Sequence, residues 1–147
     1  IMKVTAEIDV TPAQYFNHLC DGVIKDVKKH TNRDITVKSL LDGYRYERTL
    51  NYKKRKIVIK FTVGPLIQDK YFQVKYETEE TSCLYYYDFK TEQGKYYVTY
   101  GEETGYKQET IGNALGNLKK KFTQGVWKNK VFNNIELTTT YIKNHEK

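Results

Sequence analysis

The predicted fold depends on residues 110–143, which read TIGNALGNLKKKFTQGVWKNKVFNNIELTTTYIK. Apolar side chains recur there every three or four positions, the period of an amphipathic helix. They form two stripes, Leu115, Leu118 and Phe122 in the first, and Trp127, Val131, Ile135, Thr138 and Ile142 in the second. The stripes are out of register by about one residue and Gly125 lies between them, so we expect a bend there or a wide buried face. One half of this helix is then expected to seal a core and the other to roof a cavity.

Strand-length segments precede this helix. Residues 2–9 alternate apolar and polar side chains, which predicts a half-buried strand. Thr11 and Pro12 predict the N-cap and first residue of a helix over 12–29, with Asp21-Gly22 as a candidate break. Further strands are predicted at residues 35–41, 44–52, 55–63, 70–78, 82–91 and 95–102. The short turns between them predict antiparallel hairpins.

This order predicts an α+β domain with a seven-stranded curved antiparallel sheet around a long C-terminal helix. At 147 residues the chain suits one domain, which we place at residues 2–147 and expect to bury roughly 70% of its unfolded surface. No apolar run reaches the roughly 18 residues that a transmembrane helix needs, and no signal-peptide pattern is found, so we predict a cytoplasmic protein. Cys20 and Cys83 lack the spacing of a disulfide framework and are predicted to be reduced thiols.

The order of predicted elements resembles the helix-grip fold of START lipid-transfer domains, birch-pollen-allergen-like proteins and polyketide cyclases. Residues 4–16, VTAEIDVTPAQYF, are similar to the first strand and helix start of that superfamily, and residues 114–122, ALGNLKKKF, to its last helix. More narrowly, the chain resembles a small family from low-GC Gram-positive bacteria whose function is unassigned. The resemblance implies a cavity between sheet and helix that often holds a hydrophobic ligand, and it transfers no catalytic residue.

Strand periodicity predicts which side chains face the last helix. If the apolar-rich parity of each strand points inward, the inward set is Tyr44, Tyr46, Arg48, Leu50, Ile57, Ile59, Phe61, Val63, Phe72, Val74, Tyr76, Cys83, Tyr85, Tyr87, Phe89, Tyr96, Val98 and Tyr100. The tyrosine hydroxyls in this set need partners when buried, and a cavity that holds water or ligand provides them more easily than a dry core. The alternative is that tyrosine is simply a good strand residue and that these hydroxyls reach the sheet rim.

Arg48 occupies an inward position between Tyr46 and Leu50. Because an unpaired buried charge is unfavourable, we expect a partner, either Glu102 on the last strand or an anionic group of a ligand. The alternative is that Arg48 extends to solvent at a strand end, or that a bulge changes the register of its strand.

We predict that the chain binds a small hydrophobic or aromatic molecule, without a cofactor or a metal, and that it is not a catalyst. The residues predicted to contact the ligand are Tyr46, Arg48, Phe61, Tyr76, Tyr85, Tyr87, Tyr100, Phe122 and Trp127. Phe122 and Trp127 also fit ordinary core packing, which is the commoner role of large aromatic residues. The histidines lack metal-ligand spacing, and no Ser or Cys lies in a recognisable nucleophile turn.

Two other functions stay open. Superfamily members that act as cyclases or dehydratases use polar groups inside the cavity, so Arg48 and its neighbouring tyrosines are candidates for acid–base chemistry. The net charge of +7 and the basic runs at 53–56 and 119–121, with Lys25, Lys28 and Lys29, are candidates for contact with RNA, DNA or an anionic membrane. Such charges also keep hairpin tips and helix backs soluble, and no RNA-binding strand motif is found, so nucleic-acid binding is the weaker interpretation.

Overall fold

A computed structural model describes residues 2–106 and 113–145, with side chains described for 2–105 and 125–145. Within these residues the elements are β1 (Met2–Ile8), α1 (Pro12–Thr31), α2 (Val37–Leu41), β2 (Tyr44–Tyr52), β3 (Arg55–Val63), β4 (Tyr71–Glu77), β5 (Thr81–Glu92), β6 (Lys95–Tyr106) and α3 (Asn113–His145). The predicted α+β fold class, an antiparallel sheet with a long C-terminal helix, is confirmed.

The strands form one antiparallel sheet in the order β1-β6-β5-β4-β3-β2. Its register places Tyr46 opposite Phe61, and Phe61 opposite Tyr76, so the predicted inward side chains of neighbouring strands share one face. Val63, Val74 and Val98 on this face are at most 1% exposed, which confirms the predicted strand parity. Leu50 is the exception, because it pairs with Ile57 beside the β2–β3 turn and is 44% exposed.

The predicted strand at residues 35–41 is wrong, so the described sheet has six strands where seven were expected. The segment forms the short helix α2, which begins after Thr36, whose backbone N–H lies 3.4 Å from the Ser39 hydroxyl. Val37, Leu40 and Leu41 recur at helical spacing and pack on the core, and Leu40 is fully buried. Contacts with α1 and β2 thus favour a helix where the short apolar run also fitted a strand.

Helix α1 begins as predicted. Thr11 accepts a hydrogen bond from the backbone N–H of Gln14, whose side chain accepts one from Thr11 in return, and Pro12 is the first helical residue. The candidate break at residues 21–22 is wrong, because the helix continues through Gly22. It ends at Asn32, whose left-handed backbone closes the last turn.

Helix α3 continues through Gly125 without an interruption. Among its described side chains, Val131, Ile135 and Ile142 are buried and Trp127 and Thr138 are half-buried, which confirms the predicted second stripe. The predicted first stripe, Leu115, Leu118 and Phe122, lies outside the side chains that the structure describes. The described half of α3 packs against β1 and α1.

The core lies between the inward face of the sheet and helices α1 and α3. Tyr15 of α1 packs against Phe89, with ring centres 5.4 Å apart, and Phe16 meets Phe72 edge to face at 6.1 Å. These aromatic contacts fix α1 across the strands. No helix in the described part of the chain is long and apolar enough to cross a membrane.

Candidate ligand-binding cavity

Two adjoining cavities lie between the sheet and the helices. The first, of about 450 Å³, is an open cleft lined by α1 and strands β2 to β6, and the second, of about 500 Å³, lies between α1, β5, β6 and α3 and is also open to solvent. His18, Leu19, Tyr87 and Tyr100 line both cavities. These shared lining residues place the two cavities side by side, and each is large enough for a small organic molecule.

Helix α1 supplies one wall of the first cavity. His18, Leu19, Gly22, Val23 and Asp26 line it, at the three- and four-residue spacing of one helical face. Burial lowers the pKa of the His18 imidazole, which disfavours its charged form, while the nearby Asp21 charge opposes this shift. The α1 residues were absent from the predicted site, which assigned the walls to the sheet and the last helix alone.

Asp26 holds two cavity residues at one end of this space. The Tyr46 hydroxyl donates a hydrogen bond to Asp26 Oδ2 at 2.6 Å, and Arg48 Nη1 donates to Oδ1 at 3.1 Å. His30 Nε2 lies 3.4 Å from Oδ1, and the Arg48 guanidinium lies 4.9 Å from the Phe61 ring centre. Of the two candidate partners, Glu102 is therefore wrong, because α1 places Asp26 beside β2 and Arg48 pairs with it.

The Asp26 contacts affect the protonation of Tyr46 and leave one arginine nitrogen free. Burial, then the hydrogen bond to Asp26 and its negative charge, raise the pKa of Tyr46 well above its usual value, so its hydroxyl stays protonated as a donor. Arg48 Nε is buried and has no hydrogen-bond partner among the described residues. A buried donor of this kind is satisfied by water or by a ligand acceptor.

Glu102 lines the second cavity, next to Tyr100. Its Oε1 accepts a hydrogen bond from the Tyr100 hydroxyl at 2.5 Å, and its Oε2 accepts one from Trp127 Nε1 at 3.1 Å. Burial, the hydrogen bond to Glu102 and the Glu102 charge raise the pKa of Tyr100 far above its usual value. These two bonds join β6 to α3 at the cavity.

Tyrosine rings form the sheet side of the space. Tyr87 and Tyr100 meet at 4.9 Å between ring centres, and Tyr85 lies 6.3 Å from Tyr87 and 6.4 Å from Tyr100. The Tyr85 and Tyr87 hydroxyls have no hydrogen bond to any residue in the described ranges, although both rings line the first cavity. Burial raises the pKa of Tyr85 to about 12 and also raises the pKa of Tyr87.

Most of the residues predicted to contact a ligand lie on this space. Those on the first cavity are Tyr46, Arg48, Phe61, Tyr85, Tyr87 and Tyr100, and Trp127 lines the second. Tyr76 is on the same sheet face but packs between the Phe61 and Tyr85 rings, at 6.1 and 6.3 Å, without lining either cavity. The side chain of Phe122 lies outside the described residues.

The basic runs lie away from the cavities where the structure describes them. Lys53 and Lys54 form the exposed β2–β3 turn, where the Lys53 ammonium lies 5.3 Å from the Tyr52 ring centre. Lys28 is exposed and pairs with Asp34 at 3.1 Å. The side chains of 119–121 lie outside the described set.

Comparison with protein families identifies the chain. A family model described as a domain of unknown function, DUF3284, matches residues 2–124. The chain belongs to the DUF3284 family. No curated protein matches it.

Several solved structures share the fold at low sequence identity. TTHA0849 from Thermus thermophilus is 12% identical, with a TM-score of 0.58 and coverage of 95% of this chain and 97% of that one. Ara h 8.0201 is 8% identical, with a TM-score of 0.55 and 97% of both chains covered. SA2116 from Staphylococcus aureus, a protein of unknown function, is 15% identical, with a TM-score of 0.53 and 95% and 91% covered. These similarities show that this DUF3284 chain has the birch-pollen-allergen-like fold.

Proposed function

We propose that this chain binds one small molecule with a hydrophobic or aromatic body in the cavity between the sheet, α1 and α3. Residues 2–147 would act as a single helix-grip domain, within the low-GC Gram-positive group that the sequence resembles. The observation that carries the proposal is the pair of adjoining cavities, lined by aromatic rings. Among the described residues, buried Arg48 Nε has no hydrogen-bond partner, and the Tyr85 and Tyr87 rings line the first cavity without a hydrogen bond from their hydroxyls.

These polar atoms support a site that is filled in use. Burying a polar group without a hydrogen bond is unfavourable, so a space of this size with unsatisfied donors is expected to hold water or ligand rather than collapse. The aromatic walls favour a flat apolar body, and the few polar atoms at the wall would orient it.

A cavity-filling variant tests the proposal. Gly22 lines the first cavity, and a Cβ built on it meets no atom within 4 Å, so the backbone has room for a side chain there and Gly22→Phe is expected to project its ring into the cavity. Gly125 of α3 is exposed like Gly22 and also has no atom within 4 Å of an added Cβ, but it lines neither cavity, which makes Gly125→Phe the matched control.

The probe is N-phenyl-1-naphthylamine, a neutral aromatic dye whose fluorescence rises in apolar surroundings. We expect saturable binding to the wild type, at least about tenfold weaker binding to Gly22→Phe, and unchanged binding to Gly125→Phe. Absence of binding to the wild type, or equal binding to both variants, would overturn the proposal.

Acid–base catalysis in the same cavity is the second candidate. It is favoured by the convergence of Tyr46 and Arg48 on Asp26, each within hydrogen-bond distance of its carboxylate at the wall. The raised pKa of Tyr46 keeps its hydroxyl protonated at neutral pH, so it would act through hydrogen bonding and not as a base. Catalysis predicts that a component of a small-molecule extract is consumed by the wild type and persists with Tyr46→Phe, whereas pure binding leaves the extract unchanged.

A further inference from the structure

We propose that the ligand carries a positively charged nitrogen, which binds at Glu102 against the rings of Tyr100 and Trp127. The inference rests on the proposed binding function and adds the chemical class of the ligand: an organic ammonium compound with an apolar or aromatic body. Glu102 supplies the counter-charge, and the tyrosine wall supplies the faces that a cation contacts.

The first argument is the state of the Glu102 carboxylate. In the described part of the chain its hydrogen bonds come from two neutral donors, the Tyr100 hydroxyl and the Trp127 indole, which do not neutralise its negative charge. Within the described ranges, no Lys, Arg or His nitrogen lies within 4 Å of its oxygens, although Lys130 lines the same cavity from α3. Because a carboxylate accepts about four hydrogen bonds, each oxygen retains a lone pair for an ammonium group.

The second argument is the aromatic surroundings. The Trp127 and Tyr100 rings are 6.2 Å apart between centres and inclined by 32°, and Tyr87 follows at 4.9 Å from Tyr100. Aromatic faces carry negative electrostatic potential and attract cations, most strongly when water is excluded. A carboxylate bonded to the edges of these rings, with their faces close by, favours a cation over a neutral group of the same shape.

Among the described residues, the Arg48 end of the first cavity has no comparable unpaired charge. Arg48 there is paired with Asp26, so the two charges offset each other. Arg48 Nε remains as a hydrogen-bond donor that a neutral acceptor of the ligand could satisfy. An anionic group would have to compete with Asp26 for the guanidinium. The cationic assignment therefore follows from the difference between a neutralised charge at Arg48 and an unneutralised charge at Glu102.

A matched set of probes tests the charge preference. The probes are 3-phenylpropylamine, (3-phenylpropyl)trimethylammonium, the neutral 3-phenylpropanol and the anionic 3-phenylpropanoate, each measured by displacement of N-phenyl-1-naphthylamine at pH 7. We expect the two cations to bind about tenfold more tightly than the alcohol, and the anion most weakly. Preference for the primary amine would indicate N–H donation to Glu102, and preference for the quaternary ion would indicate contact with the rings.

Two variants test whether the preference for cationic probes depends on Glu102. Glu102→Gln keeps the shape and an amide oxygen but removes the charge, and we expect it to lose the preference for cations over the alcohol. Glu103→Gln removes the same charge from the neighbouring exposed residue and should keep the preference. If Glu102→Gln does not fold, as judged by its circular dichroism, the order of the four probes on the wild type decides the question.

The outcomes separate this inference from the function on which it rests. Equal binding of cation and alcohol, tighter binding of the anion, or a cation preference that survives in Glu102→Gln would overturn the ammonium assignment while leaving cavity binding intact. Failure of the naphthylamine dye itself to bind would instead remove the proposed function.

Discussion

Arg48 lies at the cavity wall because Asp26 holds it there. Both side chains are only partly buried, at 31% and 26% exposed, so removing the carboxylate would leave the guanidinium unpaired but still partly hydrated. We expect Asp26→Asn to lower the free energy of unfolding by about 1–2 kcal/mol, measured by urea denaturation. The Tyr46 hydrogen bond would also weaken, since its acceptor loses its charge.

The matched control for this prediction is Asp34→Asn, which breaks the exposed pair with Lys28. Surface pairs contribute little, so its effect should stay below about 0.5 kcal/mol. Equal effects of the two substitutions would show that Asp26 has no special role.

Tyr85 gives a prediction for alkaline pH. Its pKa is raised from 10.0 to about 12 in the folded chain, so the folded state retains the phenolic proton longer than the unfolded state. Its contribution to stability is complete below pH 10 and is lost as the pH rises towards 12. Tyr85→Phe should therefore show a shallower decline of unfolding free energy above pH 10, by up to about 1.4 kcal/mol per pH unit.

Denaturation series at several alkaline pH values measure this decline. Tyr52→Phe serves as the control. Tyr52 lies at the end of β2, on the β2–β3 hairpin, and is 59% exposed. A wild-type slope in Tyr85→Phe would mean that its hydroxyl is hydrated in the folded state.

For single residues, the sequence predicts which face of the sheet a side chain points to better than it predicts the residue that it contacts. The inward position of Arg48 and Tyr46 follows from strand alternation, which is a local property of the backbone. The partner Asp26 depends on how α1 crosses the sheet, which no local pattern specifies. A signal was nevertheless available, since Asp26 interrupts the apolar stripe of α1 three residues after the buried Val23.

Among the elements, α2 shows where periodicity is ambiguous. A run of seven residues with apolar side chains at 35, 37, 40 and 41 fits a strand at its start and a helix at its end, and burial of Leu40 against α1 favours the helix. The longer strands and the described half of α3 offered enough repeats for one period to dominate, and their predictions were confirmed.

Substitution of Leu40 tests how much the packing of α2 contributes to the stability of the fold. Its side chain is fully buried, so Leu40→Ala should lower the free energy of unfolding by about 3 kcal/mol through lost burial and a residual cavity. Thermal and urea denaturation would measure the change. Leu137→Ala on α3, where leucine is 68% exposed, is the same substitution without burial and should change stability by less than about 0.5 kcal/mol.

For the whole molecule, the resemblance to the helix-grip superfamily predicted the architecture and a cavity between sheet and last helix. The sheet wall was predictable, because alternating strands in register place their inward aromatic residues side by side. The contribution of α1 to the cavity was not predicted. His18, Leu19 and Gly22 lie on one helical face, and their sequence pattern is the same whether that face lines a cavity or packs in a core. The two halves of α3 were predicted to divide the work, one sealing the core and the other covering the cavity. The described half does both, since Trp127 lines the second cavity while Ile142 is buried in the core.

The location of a bound ligand tests the central claim most directly. With tyrosine and tryptophan rings isotope-labelled, intermolecular nuclear Overhauser effects from bound N-phenyl-1-naphthylamine would identify the rings in contact with it. We predict cross-peaks to Tyr87 and Tyr100, which line both cavities, and to Trp127, the single tryptophan of the chain. Cross-peaks confined to exposed rings such as Tyr52 would contradict a binding site between the sheet and the helices.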